Sequence, residues 1–120
     1  DDPFYHYWLG DLLIELKRDE DALASLRAAI ELSPGDDHLY VKAAVVFWRL
    51  GKRAEAIKSV RLASDLDASK LFYHGLLEKM LREAGHHEEA DLELPKVAQM
   101  DGFDRDTVRS YAEEAGLFGT

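Results

Sequence analysis

The chain has 120 residues, with 24 Asp and Glu against 15 Lys and Arg, a formal net charge of −9, and no cysteine. That length suits one domain with its own core, and the missing cysteine excludes disulfides, a thiolate metal site and a cysteine nucleophile. The acidic balance argues against nucleic acid as a partner, because phosphate contacts need a basic face. Hydrophobic residues make up 47% of the chain, too many for disorder. No run approaches the roughly 20 apolar residues of a membrane span, and no signal peptide is legible. The start Asp1-Asp2-Pro3 reads as a piece of a longer protein.

Apolar periodicity predicts seven helices, near 4–17, 20–33, 37–50, 54–67, 70–84, 87–100 and 105–115. Pro3 suits the first turn of the first, where its missing N–H costs nothing. Pro34-Gly35-Asp36 punctuates the chain after the second. Asp37 is the expected cap of the third, and Asp104 or Asp106 that of the seventh. Gly51 and Gly85 suit helix ends that need a left-handed residue; Lys17 holds the matching place in the first turn, which is expected to differ. Pro95 predicts a kink in the sixth helix, or a break with a new turn at Lys96. In the seventh, Val108, Tyr111, Ala112 and Ala115 form one apolar face, opposite Arg105, Asp106, Arg109, Glu113 and Glu114. Such a helix can cap the end of a stack; Gly116 ends it and Leu117-Phe118 can fold back. The competing reading is an array cut in mid-unit.

One interval orders these helices. Ala22, Ala56 and Ala90 stand 34 residues apart, and Leu9, Ala43 and Leu77, then Leu26, Val60 and Leu94, keep the same step. Tyr7-Trp8-Leu9-Gly10, Asp21-Ala22-Leu23-Ala24-Ser25-Leu26 and Ala29-Ile30-Glu31-Leu32-Ser33-Pro34, with their counterparts one and two steps on, resemble the tetratricopeptide repeat. The likeness spans residues 3 to about 102; it is weaker in the third copy, where Pro95 interrupts and Glu78 replaces a small residue. It implies an all-α, right-handed solenoid of three repeats, about 3–36, 37–70 and 71–104, with a C-terminal capping helix at about 105–116. The three alanines stay small because the two helices of each unit cross there.

The resemblance also implies a concave wall built by the first helix of each unit. Its candidates are Phe4, Tyr7, Asp11, Ile14 and Glu15, then His38, Val41, Val45, Trp48 and Arg49, then Phe72, Gly75, Lys79, Arg82 and Glu83. Tyr7, Val41, Val45 and Trp48 are expected to anchor an extended or helical peptide, with Phe4, Ile14 and Phe72 prolonging the apolar strip; the structural alternative for Phe4, Phe72 and Trp48 is packing between units. Acidic groups of that peptide would turn to Arg49, Lys79 and Arg82, and a basic or neutral end to Asp11 and Glu15. Some family members clamp a C-terminal carboxylate at fixed wall positions; here those places carry Tyr7, Asp11, Lys42, Phe72 and Leu76, and Asp11 would repel a carboxylate.

Charge is uneven: the first unit carries nine acids and three bases, the second four and seven, the third eight and three. Lys52, Arg53, Lys58, Arg61 and Lys70 of the basic unit read as a solvated outer face. No phosphate loop, nucleotide fingerprint or serine-nucleophile turn is present. His86-His87-Glu88-Glu89 makes a poor metal set, since adjacent histidines point to different faces of a helix. His6 and His74 occupy equivalent places and read as packing residues. No cofactor or metal is implied. The expected function is protein–protein interaction, as an adaptor or scaffold in the cytoplasm, monomeric or weakly self-associating. The alternatives are self-association as the function itself, or a positioning domain appended to an enzyme.

Overall fold

The computed structural model describes residues 2–117, which form seven α-helices and no strand. They are α1 (Pro3–Glu15), α2 (Asp19–Leu32), α3 (Asp37–Arg49), α4 (Arg53–Leu66), α5 (Phe72–Glu83), α6 (His87–Val97) and α7 (Gly102–Ala115). The pairs α1–α2, α3–α4 and α5–α6 are hairpins, and α3 and α5 each back onto the second helix of the hairpin before. The body measures 41 × 30 × 24 Å.

Local chemistry starts and stops these helices. The Asp2 and Asp36 carboxylates accept the N–H groups of Phe4 and His38 at 2.9 and 3.0 Å. Asp36, not Asp37, therefore caps α3; Asp37 is already helical, and its carboxylate is engaged elsewhere. The cap of α7 lies earlier than expected. Asp101 accepts from the Asp104 N–H at 2.8 Å while the Asp104 carboxylate accepts from the Asp101 N–H at 3.1 Å, a reciprocal pair that starts the helix at Gly102. Asp106 lies inside the helix and meets Arg109 at 3.2 Å.

Four helix ends share one geometry. The N–H groups of Arg18, Lys52, His86 and Leu117 reach back to the carbonyls of Leu13, Phe47, Leu81 and Ala112 at 2.8–2.9 Å. Each closure needs a left-handed residue just before it: Gly51, Gly85 and Gly116, and in the first unit Lys17 at φ 60°. The first turn thus copies the other two, with a lysine bearing the steric cost. Pro95 neither breaks α6 nor starts a new turn, as the helix runs through it and stops two residues later at Val97.

Ala22, Ala56 and Ala90 are wholly buried at the hairpin crossings. Gly10 shows how close the first crossing is: a Cβ there would sit 3.1 Å from Leu26 Cδ2. Its third-unit counterpart is Glu78, whose carboxylate is held by Arg82 at 2.6 Å. One core cluster joins α1, α2 and α3; another joins α3, α4 and α5 to Ala112, Ala115 and Leu117. Leu117 does fold back; Phe118 lies outside the described residues. Asp37 ties the second unit to the third, taking Lys70 Nζ at 2.8 Å and the Tyr73 hydroxyl.

Two outcomes follow. Lys17→Gly should raise stability by about 0.5–1 kcal/mol, the left-handed penalty less the extra flexibility of unfolded glycine, read as a higher denaturant midpoint. Burial pushes the Asp37 carboxyl up, but the hydrogen bonds from Lys70 and Tyr73 outweigh it and hold the group below its usual range. The unfolded carboxyl therefore takes up its proton first, near pH 3.9, and the stabilisation present above that pH disappears as pH falls through the lower folded value. In denaturant titrations between pH 5 and 2, Asp37→Asn should lower stability at the upper end and flatten its fall towards the acid end.

Candidate functional site

The concave wall is partly filled by the chain itself. α7 packs on α5 and α3, two first helices of the wall. Gly75 makes this approach feasible. A Cβ at that position would sit 2.7 Å from Val108 Cγ2 and 2.8 Å from Met100 Sδ, so any larger residue would push α7 away. Val108, Ala112, Ala115 and Leu117 are buried by that contact.

Polar groups fix the same seat. Lys42 lies between Asp11 at 3.1 Å and Glu114 at 3.6 Å, with its ammonium 5.9 Å from the centre of the Tyr111 ring. Arg49 donates to the Glu114 carbonyl at 3.4 Å and to the Ile14 carbonyl at 2.9 Å, and pairs with Asp19. Tyr111 stands between the rings of Phe72 and His38, at 6.3 and 6.5 Å. Its hydroxyl is pushed far above the ordinary tyrosine range by burial, with Tyr7 and Glu114 adding to the effect.

The proposed wall residues therefore separate into groups. Ile14, Val41, Val45 and Trp48 are buried in the chain's own core and are not exposed anchors. Trp48 is closed over further by the Arg53 guanidinium, 4.8 Å from its ring centre. The basic candidates are engaged as well: Arg49 as above, and Arg82 with Glu78 and Asp91 at 2.6 and 2.9 Å. Lys79 lines a 240 Å³ recess at the foot of α7 together with Gly75, Met100 and Val108. Phe72 is half-buried against Tyr73 and Tyr111.

What stays open is the end of the wall where the first and second units meet. A cleft of about 440 Å³ is lined by Phe4, Tyr7, Ser33, Asp36, His38 and Leu39. Phe4 is 77% exposed, and the Tyr7 and His38 rings lie 5.3 Å apart. Burial, and then Lys42, hold the His38 imidazole below its usual range, favouring the neutral ring. The Tyr7 hydroxyl is pushed up to about 12, by burial first and then by Asp11, Asp36 and Glu114. The cleft is thus aromatic, uncharged at its floor and acidic at its rim. Tyr111 and Glu114, which close the rest of the wall, were not among the residues expected to form it. The one sequence sign of their role was a glycine at the wall position that carries Tyr7 and Val41 in the other units. Among the described residues no cluster of three metal-binding side chains occurs, and no helix is long and apolar enough to cross a membrane.

Comparison with known proteins gives a consistent picture. Sequence models described as tetratricopeptide repeat match residues 3–36 and 37–70. A comparison with curated protein sequences finds no match. Among solved structures, the chain is similar to MamA (residues 41 to the end) from Desulfovibrio magneticus RS-1, with 26% identity and a TM-score of 0.74 over 78% of this chain and 53% of that one. MamA AMB-1 gives 24% and 0.75, over 84% and 59%. The chain thus spans little more than half the length of these two MamA chains. The first TPR of Spaghetti (RPAP3) bound to HSP90 peptide SRMEEVD gives 17% and 0.75, over 92% and 93%.

The seat of α7 can be tested directly. Gly75→Val should wedge the helix from the wall at a cost of about 1–3 kcal/mol. In a Trp8→Phe background, which leaves Trp48 as the sole tryptophan, acrylamide quenching should rise when the valine is introduced.

Proposed function

The chain belongs to the tetratricopeptide repeat family, and from that premise we propose that this protein-interaction module receives an apolar segment of a partner polypeptide in the open cleft between its first and second units. The observation carrying this reading is the division of the wall: α7 covers α3 and α5, while Phe4, Tyr7 and His38 remain at the surface of a cleft. Aromatic side chains present a large rigid contact area at low entropic cost, and such residues dominate interface energetics when they become buried.

Charge selects the partner. Asp36 lies in the cleft, Asp11 beside it, and the first unit carries nine acids against three bases. Arg49 and Arg82, which could meet acidic ligand groups, are already paired within the chain. A segment with an apolar or aromatic anchor and neighbouring Lys or Arg therefore fits better than an acidic one. RPAP3's first TPR is bound to an HSP90 peptide rich in acidic residues; at this chain's clamp places Asp11 opposes such a peptide and Lys42 is spent on Asp11 and Glu114.

A peptide-library selection on the immobilised chain tests the reading. Selected sequences should combine an aromatic or aliphatic anchor with basic neighbours. Tyr7→Ala should cost about 2 kcal/mol or more in their affinity, and Phe4→Ala should weaken them as well. Arg82→Glu should change it by less than about 0.5 kcal/mol. Unchanged binding to both aromatic variants would move the site elsewhere.

A further inference from the structure

The tripeptide Phe4-Tyr5-His6 returns as Phe72-Tyr73-His74, two 34-residue steps later, but the two copies live in different surroundings. Tyr73 is wholly buried at the start of α5, and its hydroxyl donates to Asp37, the first residue of α3. His74 lies 3.4 Å from Ser64 of α4. Tyr5 is 54% exposed. The difference continues along the helix: Val46 and Met80 are wholly buried, while Leu12 at the same repeat position is 37% exposed. The burial on α3 and α5 has a common source, since each of them backs onto the second helix of the hairpin before it.

The polar contacts of that junction also have counterparts on the first unit. Arg53, the first residue of α4, donates to the Glu83 carbonyl at 3.1 Å, and Arg61 of α4 pairs with Glu89 at 2.9 Å. Two steps earlier these positions are Glu15 and Asp21, both exposed. The first unit thus repeats the receiving half of the α4–α5 junction: the buried tyrosine, the histidine, the aliphatic residue and the acid.

We infer that the outer face of α1 is a stacking surface for one further helical hairpin, supplied ahead of Asp2 in the same polypeptide and carrying the chemistry of α3–α4. Its first helix begins with an acid that reaches the Tyr5 hydroxyl. Its second helix begins with a basic residue near Glu15 and places another near Asp21. The caps support continuity in one chain: Asp2 holds the Phe4 N–H as Asp36 holds that of His38, so a hairpin ending at residue 2 enters α1 as the first unit enters α3. A second copy of this chain is a poor occupant. Its last second helix, α6, with the residue after it, offers His87, Pro95 and Ala98 where α4 has Arg53, Arg61 and Ser64, and Leu71 stands in place of Asp37. Neither Tyr5 nor Leu12 lines the cleft proposed for the partner segment, and the test needs no ligand.

The test adds a copy of residues 37–70 directly ahead of Pro3 in the full chain; the steps 36 to 37, 70 to 71 and 2 to 3 are equivalent, so the register is kept. Amide hydrogen exchange along α1 should slow at least tenfold against the parent chain. Leu12→Arg in the fused protein should abolish the slowing while exchange in α3 and α5 stays unchanged. Arg53→Glu and Arg61→Glu, made only in the added hairpin, should remove at least half of it on a logarithmic scale. An added hairpin that is helical by circular dichroism yet leaves α1 exchange unchanged overturns the proposal. So does protection of α1 in the parent chain that grows with protein concentration, because the occupant would then be a second copy.

Discussion

A side chain is missing at Gly75, and the use of the whole concave wall turns on that gap. A tetratricopeptide-like stack makes a curved wall from its first helices, and the wall is apolar because the helices must also pack on one another. Apolar wall left in water is costly, and α7 covers it where α5 is flat enough to admit a helix. Lys42 and Arg49 then become structural, since both meet Glu114 at the end of α7. The cleft at the first unit is what remains once this internal occupant is seated.

The hairpins that make the wall rest on a tighter constraint. Ala22, Ala56 and Ala90 hold the paired helices close, and the turn ahead of each needs a left-handed residue to bring the next helix back. Two turns use glycine. The first uses Lys17 and keeps the same hydrogen bonds, so packing of the hairpin outweighs the local strain. Pro95 likewise lies inside the last turn of α6, and the helix does not end there.

The units are chemically unequal, and that inequality ties them to one another. The second unit is basic and lies between two acidic ones, and its cations reach both ways: Arg53 and Arg61 to the third unit, Lys42 and Arg49 to Asp11 and Asp19 of the first. The first unit presents acids and aromatic groups at its outer edge, with Tyr5 and Leu12 in water where the later units bury their equivalents. Exposed ion pairs such as Arg61–Glu89 add little energy each. Their value lies in register and in discrimination between partners that carry like or unlike charge.

The amino-acid sequence by itself determined the seven helices, the 34-residue phase, the three hairpins and the small residues at their crossings. These follow from periodicity and from residue size, which act over one or two turns or one repeat and so are written in the order of residues. The family resemblance was legible for the same reason. The sequence did not determine which wall residues face water. Val41, Val45 and Trp48 have the composition of interface anchors, and an apolar side chain has the same pattern whether it awaits a partner or has one in its own chain. Nor did it determine that Asp36, rather than the expected Asp37, caps α3, because Lys70 and Tyr73 claim the Asp37 carboxylate from distant positions. Only the tertiary structure decided these points. It brings α7 back across more than thirty residues to Gly75 and Lys42, and a contact between such distant positions depends on how whole helices pack, which no local pattern records.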